Sequence, residues 1–134
     1  MEFDLHNNVD DRVAVVQQAV AADTLIVGEI IDTLDYESLE YIVQVGTITT
    51  GTVSLIIEEG DDAALADAAA VSADETLGAL TGFAVTDDDS TKRVGSIGKK
   101  RYQRLSLQPA GTAAIDFIGA VAVLGNPKSG PVAQ

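Results

Sequence analysis

Paired carboxylates are the most frequent chemistry-bearing pattern in this chain. Glu58 with Glu59, Asp61 with Asp62, and the run Asp87-Asp88-Asp89 each set acids close enough for general acid–base work. That work needs one carboxyl raised in pKa by burial and its neighbour kept ionised. All three groups lie beside Gly or Ser in stretches that read as turns, where water would hold every carboxyl ionised. The same acidic loops could offer oxygen ligands to calcium, as loops of β-sandwiches do. Asp87-Asp88-Asp89-Ser90 lacks the spaced D-x-D-x-D-G and terminal Glu of an EF-hand loop. His6, the one histidine, could act as base or metal ligand, but its polar N-terminal setting suits a plain surface residue. Gly95-Ser96-Ile97-Gly98-Lys99-Lys100 brings Gly and Lys together as a phosphate loop does. Its spacing is wrong and no helix follows it, so it reads as a hairpin turn. Neither a GxGxxG motif nor a G-x-S-x-G elbow occurs. Phe3, Phe83, Phe117, Tyr36, Tyr41 and Tyr102 are scattered, with no Trp, and do not suggest a sugar-stacking platform. The expectation is a chain that is not an enzyme, with no catalytic residue, no cofactor and no metal.

Composition narrows the setting. The 134 residues and 13.9 kDa fit one domain, and 46% hydrophobic residues can build a core. With no Cys, a disulfide scaffold, a thiol enzyme and a Cys-based zinc or iron–sulfur site are excluded. No apolar run approaches the roughly 18 residues of a membrane helix. The start, Met1-Glu2-Phe3-Asp4-Leu5, has no basic or apolar region of a signal peptide. Neither a membrane partner nor a leader is expected.

The elements follow from periodicity. Residues 1–11 read as a flexible or partner-docked N-terminal arm, 12–125 as a single β-sandwich domain, and 126–134 as a C-terminal tail. For 12–20 the spacing fits a helix face (Val13, Val16, Val20) or a strand (Val13, Val15), and both stay open. Leu39, Tyr41, Val43 and Val45 alternate on one face, and Val53, Leu55 and Ile57 do so again after Gly46 and Gly51. Two period-2 runs about a Gly/Thr turn predict a β-hairpin. The Ala- and Asp-rich stretch near 61–80 predicts one short helix or a compact loop. Arg101 to Leu107 and Ala113 to Leu124 read as two strands parted by Pro109-Ala110-Gly111. The second is apolar in both registers, so both its faces look covered. Seven or eight short strands with frequent turn signals predict an all-β fold, an antiparallel β-sandwich of jelly-roll type.

Charge is segregated. Before residue 92 stand 20 acids and one base, Arg12; from 92 onward stand 7 bases and one acid, Asp116. Lys92, Arg93, Lys99, Lys100, Arg101 and Arg104 are the candidate partner-contact cluster. The segment either folds back on acids of its own domain, or meets an acidic protein partner or a second subunit. A net charge of −13, with only Tyr102 among the bases, argues against a nucleic-acid partner.

Three stretches carry a family likeness when taken together. They are Tyr36-Glu37-Ser38-Leu39-Glu40-Tyr41-Ile42-Val43-Gln44-Val45-Gly46, the hairpin exit Leu55-Ile56-Ile57-Glu58-Glu59-Gly60-Asp61-Asp62, and Arg93-Val94-Gly95-Ser96-Ile97-Gly98-Lys99-Lys100-Arg101-Tyr102 with the closing Ala120-Val121-Ala122-Val123-Leu124-Gly125. This order resembles small structural proteins of tailed bacteriophages encoded among the head genes, over about residues 30–126. The resemblance implies a virion component of the capsid decoration (cement) type. Such a protein is made in the host bacterial cytoplasm and sits on the capsid surface. Its partner would be the major capsid protein, and it would be a homo-oligomer, a trimer foremost. A head–tail joining or tail component is the first alternative, and a glycan- or calcium-binding β-sandwich module the second.

Overall fold

The structure is a computed structural model and describes residues 4–129. Eight antiparallel strands carry it: β1 (Val9–Val20), β2 (Ile26–Asp32), β3 (Tyr36–Val45), β4 (Ile48–Gly60), β5 (Ala69–Ala70), β6 (Thr76–Leu77), β7 (Thr91–Ser96) and β8 (Tyr102–Pro127). The all-β antiparallel class is the one that the alternation predicts. Residues 12–20 are strand, with β1 starting at Val9, inside the stretch read as an arm. β8 runs to Pro127, past the expected boundary at 125. Residues 1–3 of the expected arm and 130–134 of the expected tail lie outside the described residues.

β8 is the spine, 26 residues long and paired along both edges. Down one edge run β1 and then β2, from Val9 opposite Gly125 to Asp32 opposite Tyr102. Down the other run β3 and then β4, from Tyr36 opposite Pro127 to Gly60 opposite Tyr102. Segments 9–32, 36–60 and 102–127 are therefore three long ribbons of one sheet, folded across its middle into two layers. β7 and β6 extend the β3 side, and β5 extends the β4 side. The inner faces share one core, with Tyr41, Val43, Val94 and Leu124 from one layer and Ile31, Leu55, Leu105 and Leu107 from the other.

The Gly/Thr turn does not make the expected hairpin, because β3 and β4 do not pair with each other. Val45 pairs with Ile118 and Ile48 with Ile115, so the chain crosses the crease in one register on one edge of β8. Carboxylates take up amides at the crease: Thr47 N donates to Asp116 Oδ1 at 2.8 Å and Ile48 N to Asp88 Oδ1 at 2.7 Å. A reversal at this point would strip half of β8 of a ladder partner, which buried backbone does not tolerate.

The two strands expected on either side of Pro109-Ala110-Gly111 are likewise one bent strand. Gly111 (φ 74°) and Thr112 (φ 58°) turn the backbone at the crease. Asp23, between β1 and β2, accepts from Thr112 N at 3.0 Å and Ala113 N at 2.8 Å. Pro109 stands opposite Val53, whose own N–H and C=O bond Phe83. The pair is thus not hydrogen-bonded, and the amide that Pro lacks would point past the end of β2.

The stretch near 61–80 is a compact connection that holds the two-residue strands β5 and β6 and one short 3-10 turn, Ala73–Glu75. Asp62 accepts from the amides of Ala64 and Ala66, and Asp67 from those of Asp61 and Asp62. These side-chain bonds compete with helix formation in spite of the alanines. β1 and β2 approach each other at Ala14 and Gly28. A Cβ at position 28 would stand 2.6 Å from the Ala14 carbonyl oxygen and 2.0 Å from that of Leu105, so only glycine fits.

Candidate functional site

The fold brings the two ends of β8 together. Thr33 N donates to the Arg101 carbonyl at 2.9 Å and Lys128 N to the Asp35 carbonyl at 2.8 Å, so the turn after β2 stands between them. This open end, remote from the crease, holds the densest part of the basic segment. Arg101 grips Asp32 through Nε and Nη2, both at 2.8 Å, and lies over the Tyr102 ring at 4.9 Å. Lys100 Nζ meets Asp61 Oδ2 at 2.6 Å. Arg12, from the edge strand, pairs with Asp10 at 2.9 Å and donates to the Asp32 carbonyl at 2.7 Å. Lys99 projects from the same loop, exposed, and makes no ion pair among the described residues. Exposed Ile97 stands two residues before it, and exposed Leu34 lies in the adjoining turn.

The other three candidate bases lie elsewhere. Arg104 alternates with the core residues Gln103 and Leu105, so it faces outward from the β2–β8–β4 layer, where half-buried Glu58 holds it at 3.3 Å. Lys92 Nζ stands 3.4 Å from Asp87, donates to the Gly82 carbonyl and lies over the Phe83 ring at 5.2 Å. Arg93 is exposed on the outside of the β1–β8–β3–β7 layer, opposite Ile42, and makes no ion pair among the described residues. The six bases are therefore not one patch. Four are held by acids of the same chain, and Arg93 and Lys99 are left for other contacts.

Electrostatics follows the same division. The Arg101 fork pulls Asp32 down to about 2, against an ordinary 3.8. Asp61 in turn raises Lys100, and Asp32 raises Arg101. The acidic runs are occupied with backbone. Asp87 accepts from Ala84 N at 2.7 Å, Asp88 from Ile48 N, and Glu59 from Lys100 N at 3.4 Å. Amide donors hold Asp23, Asp67 and Asp87 below the usual carboxylate range, the opposite of what a general acid needs. Among the described residues no three His, Cys, Asp or Glu side chains gather as a metal-ligand set. His6 lies in the turn before β1.

A second surface is the outside of the β1–β8–β3–β7 layer. Val13, Val121 and Ile42 line up across three strands there and are 56%, 41% and 36% exposed. A shallow groove of about 290 Å³ runs along them, with Phe117 at one end and Gln17 and Gln44 on its rim. Gly119 floors it, because β1 bulges over the sheet and a Cβ there would lie 3.2 Å from Gln17 Cα.

No family model matches the chain, and no curated protein matches it. A solved structure titled as Bacillus endospore appendages that form a family of disulfide-linked pili is 14% identical over 90% of this chain and 89% of that one, with a TM-score of 0.42. The structure of infectious bursal disease virus, Gx strain, is 15% identical over 91% of this chain and 37% of that one, with a TM-score of 0.26. Both likenesses are too remote to carry fold or function to this chain, which has no cysteine for a disulfide link.

The sequence reading missed the outer face. It takes both faces of 113–124 as covered, whereas Ile118, Ala120, Ala122 and Leu124 face the core and Val121 is left in the open. The available signal was Ile42, an apolar residue on the polar side of the β3 alternation, in the same pairing row as Val121.

Proposed function

We propose that the chain is a structural protein that docks by its open end onto a repeating lattice, as a decoration protein on the outer capsid of a tailed phage. One observation carries this reading. The loop before β8 offers Lys99, a cation that the fold leaves without an ion pair among the described residues, between exposed Ile97 and the Arg101–Asp32 and Lys100–Asp61 pairs. An apolar contact with a rim charge is the arrangement of a specific interface. The charge gives orientation and the apolar side chains give affinity. Docking at many equivalent sites lets each contact be weak. The resemblance of the three stretches to phage head proteins supplies the setting and names the major capsid protein as the partner. The function requires no catalytic step and no cofactor.

The test uses expanded capsids that lack the protein. Mixed with the purified chain and pelleted, they should retain copies in a fixed ratio to the major capsid protein, on the order of hundreds per particle for a lattice-wide site. A dozen or fewer would assign it to the neck or tail, and no retention would overturn the reading.

A further inference from the structure

The outer face of the β1–β8–β3–β7 layer has a gap in it. Gly119 stands opposite Gln44 on β3, and Gln44 stands opposite Thr91 on β7. On the other side β1 bulges between Val15 and Gln18 and brings Gln17 against Gly119. One row of the sheet thus reads Gln17, Gly119, Gln44, Thr91, with no side chain at its second place. On one side of it lies the apolar row of Val13, Val121 and Ile42. On the other side stands Phe117, whose carbonyl accepts from Gly46 N at 3.0 Å. A Cβ at position 46 would lie 2.5 Å from Phe117 Cε1, so a glycine there seats the ring. The groove of about 290 Å³ is this gap, walled by Phe117 and Val121 along β8 and by the two glutamines across it. At roughly 4.8 Å per strand and 3.3 Å per residue, the walls across it stand about 10 Å apart and those along it about 13 Å. No residue that lines the groove is charged, although 22% of the chain is. Arg93 lies one row away, opposite Ile42, and Asp116 is taken up by the amides of Thr47 and Phe117. Gln17, Gln44 and Thr91 are exposed, and their side chains make no hydrogen bond among the described residues.

We propose that this groove binds one ring of a neutral sugar. A phosphate, a carboxylate or an ammonium would find no counter-charge in it, and a net charge of −13 repels anions besides. A wholly apolar ligand would strip water from two amides and a hydroxyl and give nothing back. A pyranose offers both kinds of contact. Its hydroxyls donate and accept at once, as do the side chains of Gln17, Gln44 and Thr91. Its C–H face is apolar and meets the Phe117 ring and the apolar row. The volume is near the roughly 300 Å³ at which ligand clefts begin, so the groove takes one ring and not a chain of them. So small and open a site binds weakly, with a Kd on the order of 1 mM. Scattered along the sequence, the aromatic residues form no stacking platform; the fold gives one of them, Phe117, a neutral polar surround. The groove is apart from the open end, and the proposal does not depend on lattice docking.

Amide nitrogen–proton correlation spectra of the isotope-labelled chain test it without any capsid. The probes are the methyl glycosides of glucose, galactose and mannose, and N-acetylglucosamine, each up to about 50 mM, with glucuronic and galacturonic acids as charged counterparts. At least one neutral sugar should give saturable shifts confined to the amides around Gly119, and the uronic acids should bind more weakly. Gly119→Val fills the gap and should abolish the shifts. Gln44→Ala, at an exposed position, should weaken binding about fivefold. Amides remote from the groove report whether each variant is folded. No saturable shift from any neutral sugar, shifts spread over other surfaces, a uronic acid bound as tightly, or an affinity unchanged by Gln44→Ala would overturn the proposal. Shifts at the same amides on raising the protein concentration alone would give the groove to a second copy and overturn it too. Failure to bind capsids would leave this result standing, and a silent titration would leave capsid docking standing.

Discussion

The bidentate pair of Arg101 with Asp32 sets how the open end responds to acid. Asp32 titrates at about 2 in the folded chain against an ordinary 3.8, so folding favours its ionised form. A carboxyl lowered in this way stabilises the fold fully above its unfolded value, and that contribution is lost as pH falls through the folded one. Asp23, Asp67 and Asp87 shift in the same direction and add to the same limb. Relief of the net charge of −13 works the other way, but salt near 0.15 M screens it beyond about 8 Å. Thermal melts at that salt should show these groups contributing steadily from pH 7 to 5 and a falling midpoint between about pH 4 and 2. Arg101→Met should make the fall shallower, and a midpoint that rises through that window would contradict the assignment. Asp23 makes a second case at this scale. Because it caps Thr112 and Ala113 at the crease, Asp23→Ala should lower the urea midpoint more than Asp23→Asn, which keeps one acceptor. Equal midpoints for both variants and the wild type would show that the crease does not need the carboxylate.

At the scale of elements, the strands were legible and their partners were not. The alternation at Leu39–Val45 and Val53–Ile57 marks the core face correctly, since Leu39, Tyr41, Val43, Val53, Leu55 and Ile57 are all buried. What alternation does not say is which edge a strand meets. Gly46 and Gly51 read as a reversal because local turn chemistry favours a hairpin, whereas the 26-residue β8 holds both strands on one edge through contacts more than forty residues away. The same long-range pairing hides in Pro109, which looks like a strand end and sits where its missing amide costs nothing. Of the candidate site, the crowding of the six bases along the chain was legible. Their dispersal over the fold was not, because Asp32, Glu58 and Asp61 reach Arg101, Arg104 and Lys100 only after folding. Two substitutions test the architecture in urea unfolding. Gly28→Ala pushes a methyl into the Leu105 and Ala14 carbonyls and should cost about 1–3 kcal/mol. Leu107→Ala, in the fully buried middle of β8, should cost about 2–5 kcal/mol. A Gly28→Ala chain as stable as the wild type would mean that β1 and β2 do not meet there.

For the whole molecule, the fold converts a lopsided chain into one whose charges are mostly settled internally. Acids from the first ninety residues neutralise Lys92, Lys100, Arg101 and Arg104, which leaves Lys99 at the open end and Arg93 on the outer face. Charge reversal is therefore informative at Lys99 and ambiguous at Arg101, where it would also break a native pair. The most direct test of the docking claim is the occupancy of expanded capsids by the Ile97→Ser, Lys99→Glu chain beside the wild type, at equal concentration and in the same salt. The account predicts a wild-type chain bound in fixed ratio to the major capsid protein, and a folded variant whose affinity falls by about tenfold or more. Equal occupancy by the two chains would contradict it.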